Sequence, residues 1–435
     1  MSVSLQARQQ YLSNLSTKKP KYSKRVYYKD DSPLMGVYEI EMDYLIFNQH
    51  NGRLESVMQT WRAETGTSDG DYDEELHKKI IGFLWQTNVS RNKRTLENIK
   101  DIGQQNPGIV TLDGVIIDGN RRAMLLQRLE KKYFEAVILP DKYDENEKDI
   151  VRLETQYQLG QDPTLDYGPL EKYLHAKRLT SLGIDEQEAR KMMNRSNVND
   201  FRELLAIMGL MDDYLEHIQC GGLYTLLRDD DGTKEGMFVD LYSDLKRLRG
   251  DTQVNWGYDK DVDLMDLQAI HFDYIRYGDD FIGTEKRYRR ISHDGAGKKS
   301  IFANVKLWKE FRDRHRKKVN PVLNEVGTFD EFFEKKKDDF RTRTDAAKHW
   351  IDEWKMKAAP ALKENFGILE DSLKTIVDEE IEPNRLLLRA VNALRGIDID
   401  KQDLTANPEN RELVSVINQL SWEMKKKFEK AGKHN

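Results

Sequence analysis

The sequence predicts an α+β protein, in which a small mixed α/β module at the N-terminus is followed by predominantly α-helical domains. Two observations lead to this prediction. Residues 109–139 contain two short apolar strands joined by a tight turn, then a glycine turn, an amphipathic helix and a third strand. After Pro140, apolar residues recur almost throughout at helical spacing, as they do over residues 169–182. The chain therefore changes from mixed to helical structure near residue 145.

Bulk composition limits the classes of function. The chain has 435 residues, is 38% hydrophobic and 34% charged, and carries a net charge of -6, so its overall charge does not indicate nucleic-acid binding. The single cysteine, Cys220, excludes an intrachain disulfide and a cysteine-rich metal site. No apolar run approaches the roughly 18 residues of a membrane span, and the first residues lack the apolar core of a signal peptide. We therefore expect a cytoplasmic protein with no membrane contact.

Shifts in composition predict four regions. Residues 1–35 are polar and basic, and we expect a basic leader that is a solvated tail, a segment that packs late in folding, or one that binds an acidic partner. Residues 36–145 hold the mixed module, which begins with a strand of alternating apolar and polar residues at 37–42. Residues 146–220 are expected to be helical with a helix-turn-helix-like layout. Residues 221–435 are expected to form an α-helical C-terminal region.

Two apolar stripes support the helical prediction for the C-terminal region. Apolar residues at helical spacing share a face in each case, at Leu241, Leu245 and Leu248, and at Ile417, Leu420, Met424 and Phe428. The second stripe belongs to the last predicted helix, whose basic end suits the negative end of the helix dipole.

The clearest local chemistry lies at residues 118–122, which read Asp-Gly-Asn-Arg-Arg. A strand ends there, Gly119 permits a tight turn, and a helix begins at once, so its free N–H groups and dipole form an anion site. Arg121 and Arg122 add forked cationic donors that suit phosphate. Because arginine opposes the dipole at a helix N-terminus, two of them there indicate a bound anion. The alternative is that one arginine pairs with a nearby carboxylate such as Asp118.

This segment resembles a phosphate-binding motif. The Gly-Asn-Arg-Arg-Ala sequence at 119–123, which follows a hairpin, resembles the Gly-x-Arg-Arg box of ParB N-terminal domains and the related turns of sulfiredoxin and the free serine kinases. Residues 47–53 resemble the first ParB box, and residues 153–158 resemble the third. The resemblance to this ParB/sulfiredoxin superfamily covers residues 36–215, and the order of the boxes along the chain is preserved.

The resemblance implies a site for a nucleoside triphosphate, CTP or ATP, together with Mg²⁺. The residues that it assigns to nucleotide binding are Arg53, Gly119, Asn120, Arg121 and Arg122. Glu154 and Asp118 are the candidate catalytic residues, and Glu154 is the candidate ligand for Mg²⁺. Gln158 stands where the third box has an arginine, so we expect binding more than turnover, as in a nucleotide-dependent switch or a weak NTPase.

In ParB a helix-turn-helix follows the nucleotide module, and residues 179–205 resemble that layout. Ala189 provides a small residue where two helices cross, and a second helix begins near Asn197. The candidate DNA-contacting residues are Arg190, Lys191, Arg195, Asn197, Asn199 and Arg202. Asp200 and Glu203 share this surface and oppose a polyanion, so an ordinary helical hairpin is the alternative.

We therefore expect a ParB-like nucleotide-binding, DNA-associated protein, and we leave a homo-oligomer open. Two other functions also stay open. The first is a metal-dependent ParB-like nuclease of phage or plasmid defence, in which Asp118 and Glu154 hold magnesium beside a phosphate. The second is a non-catalytic protein-interaction module, in which the glycine turn binds an acidic or phosphate-bearing partner.

Overall fold

A mixed β-sheet lies in the N-terminal part of the computed structural model, which describes residues 3–29, 31–67, 72–159, 169–228, 233–250, 260–278, 287–293, 300–379, 383–397, 407 and 409–431. Its strands are β1 (Tyr22–Arg25), β2 (Leu34–Glu41), β3 (Ile46–Phe47), β4 (Gly108–Val110), β5 (Val115–Asp118) and β6 (Tyr133–Ile138). The described strands form one sheet in the order β1-β2-β6-β4-β5-β3. Strand β2 runs antiparallel to both β1 and β6, and β4 runs antiparallel to β5. The pairs β4–β6 and β3–β5 are parallel.

Helices make up most of the remaining described chain. Up to residue 217 they are α1 (Leu5–Ser16), α2 (Glu55–Thr65), α3 (Glu74–Gln86), α4 (Val89–Ile102), α5 (Asn120–Arg128), α6 (Glu147–Leu159), α7 (Pro169–Ser181), α8 (Glu186–Met192) and α9 (Val198–His217). Beyond it they are α10 (Thr233–Gly250), α11 (Lys260–Tyr277), α12 (Val305–Lys318), α13 (Asn320–Val326), α14 (Phe329–Lys336), α15 (Arg343–Glu379), α16 (Pro383–Arg395) and α17 (Glu409–Ala431). A mixed sheet followed by helices confirms the coarse α+β prediction.

The predicted order of elements over residues 109–139 is confirmed by β4, β5, α5 and β6. Gly114 in the hairpin turn has a φ of 90°, and Gly119 before α5 has a φ of 99°. Both lie in the left-handed region that favours glycine. Helix α5 ends at Arg128, and Glu130 just after it adopts a φ of 54°.

Of the alternatives for the basic leader over residues 1–35, the structure contradicts the solvated tail, because the segment packs against the sheet. Leu12 of α1 is completely buried in the core, and the buried Arg8 donates from Nε to the carbonyl oxygen of Asp113 at 3.1 Å. Strand β1 is an edge strand that pairs with β2, and Val26 just after it is also completely buried. The few apolar residues of this segment thus fall where the sheet can bury them, which its basic composition concealed.

The sheet has a hydrophobic core on each face. Neighbouring residues of β5 point to opposite sides, so Ile116 belongs to one core and Ile117 to the other. The first core includes Met124 of α5, whereas the second includes Leu153 of α6. Helices on both faces therefore fix the two ends of β5, including the end that carries the glycine turn.

The chain divides into two compact units, Met1–Leu369 and Glu370–Asn435. The first unit contains the sheet and α1–α14, and the predicted stripe of Leu241, Leu245 and Leu248 is buried in it. The second unit contains α16 and α17. Within the described residues, no helix is long and apolar enough to cross a membrane.

Candidate functional site

The candidate site lies where β3 and β5 end. These strands are parallel neighbours, with Phe47 opposite Ile116, so their carboxyl ends meet at one edge of the sheet. The loop at residues 48–53 follows β3, and the glycine turn at residues 118–122 follows β5. Loops beyond the carboxyl ends of parallel strands are a common position for ligand sites in α/β proteins.

Asn120 joins the two loops. Its buried side chain accepts a hydrogen bond at Oδ1 from the backbone N–H of Asn48 at 3.0 Å, and Nδ2 donates to the carbonyl oxygen of Ile116 at 2.7 Å. Both polar groups of the amide are therefore used within the protein. The side chain of Asn120 therefore positions the 48–53 loop from inside the fold, and the assignment of this residue to nucleotide binding stays a prediction.

Glu154 brings α6 to the same loop. Its carboxylate is buried, and it accepts hydrogen bonds from Nδ2 of Asn48 at 3.3 Å and from the N–H of Gly52 at 3.4 Å. The three segments that the sequence singled out thus meet at one place. Because both carboxylate oxygens accept hydrogen bonds from the loop, the geometry of Glu154 suits loop positioning.

The predicted roles of Glu154 and Asp118 in catalysis and magnesium binding do not fit these contacts. The Glu154 side chain is 0% exposed, and Asp118 forms an ion pair with Arg122 at 2.8 Å. Over the residues that the structure describes, no group of three or more His, Cys, Asp or Glu side chains could hold a metal ion. We therefore derive no catalytic step through a protein-bound magnesium ion.

Arg178 of α7 is a site residue that the sequence analysis missed. Its guanidinium donates to the carbonyl oxygen of His50 at 2.6 Å and to the hydroxyl of Tyr143 at 2.8 Å, and it lies 3.9 Å from the Glu154 carboxylate. Burial by itself lowers the pKa of Arg178, but its electrostatic interactions with Tyr143 and Glu154 outweigh burial and raise the pKa. Helical periodicity does not distinguish this arginine from other basic residues, so the sequence held no signal for it.

The start of α5 retains the features of an anion site. Its N-cap is Gly119, which has no side chain to cap the helix, and the N-terminus of a helix favours an anion through its N–H groups and dipole. A Cβ atom at Gly119 would lie 2.8 Å from Cζ of Phe134. Glycine is therefore required here both by its left-handed backbone and by the close packing behind the turn.

The two arginines of the turn have different partners. Arg122 pairs with Asp118 and also donates to the carbonyl oxygen of Asn106, which matches the alternative considered for one arginine. Arg121 donates from Nε to Oδ1 of Asn92 at 2.6 Å and from Nη2 to the hydroxyl of Thr95 at 3.4 Å. Arg122 thus has a carboxylate among its acceptors, whereas the two acceptors named for Arg121 are neutral oxygens.

Two further basic residues frame the turn and the neighbouring loop. Arg53 donates its backbone N–H to Oδ1 of Asn51 at 3.1 Å, which stabilises the end of the 48–53 loop. Lys24 of β1 lies near the turn, and its pKa is lowered mainly by burial, although Asp118 acts in the opposite direction. Lys24 belongs to the predicted leader, so the leader contributes a cation near the glycine turn at residues 118–122.

A cleft of about 380 Å³ opens beside the 48–53 loop. Its lining includes Asn48, Gln49, His50, Asp113 and Tyr143. The ring of His50 stacks on that of Tyr143, with their centroids 6.0 Å apart. A cleft of this size, with aromatic and polar side chains, falls within the usual range of small-molecule sites.

The candidate DNA-contacting residues lie on α8, α9 and the turn between them. Arg190 donates to the carbonyl oxygens of Arg195 at 2.9 Å and Ser196 at 3.1 Å, so it fixes the turn. Asn197 caps α9 through reciprocal hydrogen bonds with Asp200. These three contacts are structural, and they stabilise the short helix, turn and long helix that the sequence predicted.

The remaining candidates differ in exposure. Arg202 forms an exposed ion pair with Glu186, whereas Arg195 is half-buried. Lys191 and Asn199 are exposed. The surface that could reach a phosphate backbone is therefore smaller than the sequence indicated, and its exposed cations among the six candidates are Lys191 and Arg202, of which Arg202 pairs with Glu186.

Comparisons with known proteins do not identify this chain. No protein-family model matches it, and a search of the curated proteins also gives no match. Its resemblance to the ParB/sulfiredoxin superfamily therefore stays a prediction from the residues of the three boxes. The function proposed for this chain therefore depends on the positions and contacts of the site residues.

Proposed function

We propose that this chain is a nucleotide-binding, DNA-associated switch protein, in which the start of α5 binds the phosphates of a nucleoside triphosphate. The observation that carries the proposal is the meeting of three distant segments at one sheet edge. Asn120 and Glu154 both bind the loop that begins at Asn48. These are the segments that resemble the three ParB boxes, and their convergence supports a common ligand.

The phosphates would occupy the helix start, where N–H groups and the helix dipole favour negative charge. Gly119 permits close approach of a phosphate to the backbone. Arg121 is our candidate for the charged contact, as its place in the Gly-x-Arg-Arg box implies, and Arg122 pairs with Asp118 beside it. The cleft beside Asn48 has room for the nucleoside, and Asn48 itself hydrogen-bonds to the turn through Asn120.

The geometry favours binding over hydrolysis. Both carboxylate oxygens of Glu154 accept hydrogen bonds from the loop, and the described residues include no group of three or more His, Cys, Asp or Glu side chains that could form an open metal position. The nuclease alternative requires such a position, and it therefore has less support from the described residues. Magnesium would instead accompany the nucleotide through the phosphates.

Ion pairs and hydrogen bonds connect the site to the helical region. Arg178 ties the loop to α7, and Arg152 of α6 pairs with Glu188 of α8. A change in the loop on nucleotide binding would therefore alter contacts with the helices that precede α9. This connection supports a switch in which nucleotide binding changes how the α8–α9 surface meets DNA.

Replacing Arg121 with alanine should weaken nucleotide binding by about 10- to 150-fold, which corresponds to the loss of a charged hydrogen bond of roughly 1.5–3 kcal/mol. Calorimetry with CTP and ATP in the presence of Mg²⁺ measures this change. Arg128→Ala is the matched control, because Arg128 is in the last turn of the same helix, where it stacks over Trp85. Absence of binding of any nucleoside triphosphate by the unmodified protein would overturn the proposal.

Replacing Lys191 with alanine should weaken DNA binding across sequences and reduce the slope of log K against log salt by about 1. Fluorescence anisotropy with a labelled duplex at several salt concentrations measures both. Lys100→Ala provides an equally exposed lysine on α4 as a control. If the unmodified protein shows no salt-sensitive DNA binding but retains a protein partner, the interaction-module alternative is favoured instead.

A further inference from the structure

The second unit exposes many large apolar side chains on α17. Its exposed large apolar side chains are Leu413, Val414, Val416, Ile417, Leu420, Trp422 and Met424. A 23-residue amphipathic helix gains most of its stability in a protein from packing its apolar face. Contiguous exposed apolar surface of this kind marks an interaction site.

The apolar side chains of α17 form a stripe with coiled-coil spacing. Leu413, Ile417, Leu420 and Met424 follow one another at intervals of four, three and four residues, and they are 55%, 40%, 52% and 38% exposed. This spacing places them along one side of the helix. Trp422 lies on the opposite side, because nine positions at 100° each place it half a revolution from Leu413.

Helix α16 leaves the stripe accessible. The two helices approach each other at a shallow cleft lined by Leu387 of α16 and by Met424 of α17. The α16 side chains Leu388, Val391 and Leu394 are themselves exposed. The partner that covers the stripe should therefore present an apolar helix face of its own.

The charges on α17 identify a partner with the same sequence. Glu409 and Glu412 lie in the first turn, whereas Lys425, Lys426 and Lys427 lie near the end. Two antiparallel copies bring the acidic start of each helix to the basic end of the other. Two parallel copies would instead place like charges together, which is unfavourable. Arg411 at the start and Glu423 and Glu429 near the end reduce the contrast, but the start keeps a net negative charge and the end a net positive one. The antiparallel direction is therefore the complementary one.

We propose that two copies of this chain associate through antiparallel α17 helices. In the symmetric register, Ile417 faces Leu420 of the second copy, and Leu413 faces its Met424. Such a pairing is isologous, because the same surface is used on both copies and the assembly closes as a dimer. This interface is independent of the proposed nucleotide site, and α16 from each copy would complete a four-helix arrangement.

The first test is the mass of the full-length protein in solution, measured by sedimentation or light scattering at micromolar concentrations. The unmodified protein should be a dimer, and Leu420→Glu should make it a monomer because it places charge within the stripe. Trp422→Glu is the matched control, since Trp422 is 56% exposed on the opposite side of the helix, and it should remain a dimer. A monomeric unmodified protein, or equal effects of the two substitutions, would overturn the proposal.

The second test determines the direction of the helices. The native Cys220 is 1% exposed, so cysteines introduced on α17 can be crosslinked by oxidation without interference. A mixture of Leu413→Cys and Met424→Cys chains should form a mixed disulfide, whereas each variant alone should crosslink much less. Crosslinking within each variant alone would indicate parallel helices and overturn the antiparallel arrangement.

Binding of a monomer to anionic vesicles would also overturn the proposed dimer, since a basic amphipathic helix suits a membrane surface.

Discussion

Replacing Arg178 with methionine should lower the free energy of unfolding by about 3–5 kcal/mol, the range expected when one partner of a buried ion pair is removed. The side chains of Arg178 and Glu154 are 8% and 0% exposed, so water cannot solvate the remaining carboxylate. The substitution also removes the donor to the carbonyl oxygen of His50. Denaturant unfolding measures the change, and nucleotide affinity should fall with it because the 48–53 loop loses its tie to α7.

A surface arginine provides the control for Arg178. Arg202 forms an ion pair with Glu186 in which the side chains are 60% and 41% exposed, so Arg202→Met should cost less than about 1 kcal/mol. Adding Glu154→Gln to Arg178→Met should restore part of the lost stability, because it removes the buried charge. If both arginine variants lost the same free energy of unfolding, burial of the Arg178–Glu154 pair would not determine how much this pair stabilises the protein.

Replacing Asn120 with leucine should lower the free energy of unfolding by about 2–6 kcal/mol. The N–H of Asn48 and the carbonyl oxygen of Ile116 would both lose their partner, and a buried unsatisfied group costs about 1–3 kcal/mol. Nucleotide binding should weaken as well, because the loop is no longer held beside the turn. Chemical denaturation and calorimetry on the same variant measure the two effects.

The matched control for Asn120 is Asn199→Leu, since Asn199 is exposed on α9. This change should alter stability by no more than about 0.5 kcal/mol. The comparison also tests the role that the structure gives to Asn120. If Asn120→Leu lost nucleotide affinity with unchanged stability, its side chain would act as a ligand contact, as the sequence first indicated.

The strands and the helix at residues 109–139 could be predicted because their signals are local. Gly114 and Gly119 mark positions that need a left-handed backbone, and alternation or helical periodicity identifies the elements between them. Helix α2 could not be predicted in the same way. Its buried face includes Ser56 and Thr60, whose hydroxyls bond to Glu171 and to the N–H of Thr225. Polar residues on the buried face obscure the apolar periodicity that identifies a helix.

The sequence located the segments of the site but did not assign the roles of their side chains. Motif matching identified the turn and the loop, yet it placed Asn120 and Glu154 on the ligand rather than inside the fold. The partners that determine these roles are distant in sequence, as with Arg178 and the carbonyl oxygen of His50. No local pattern records such a contact, so only the folded chain shows which polar groups are already satisfied.

The edges of the sheet restrict how copies of this protein can meet. The two outermost strands are short, with four residues in β1 and two in β3, and Lys24 and Arg25 lie on β1. Short, charged edge strands are a poor template for another chain to add a strand. Growth of β-type aggregates from this sheet is therefore disfavoured even when copies are held close together. Association through helices would concentrate the protein without extending its sheet.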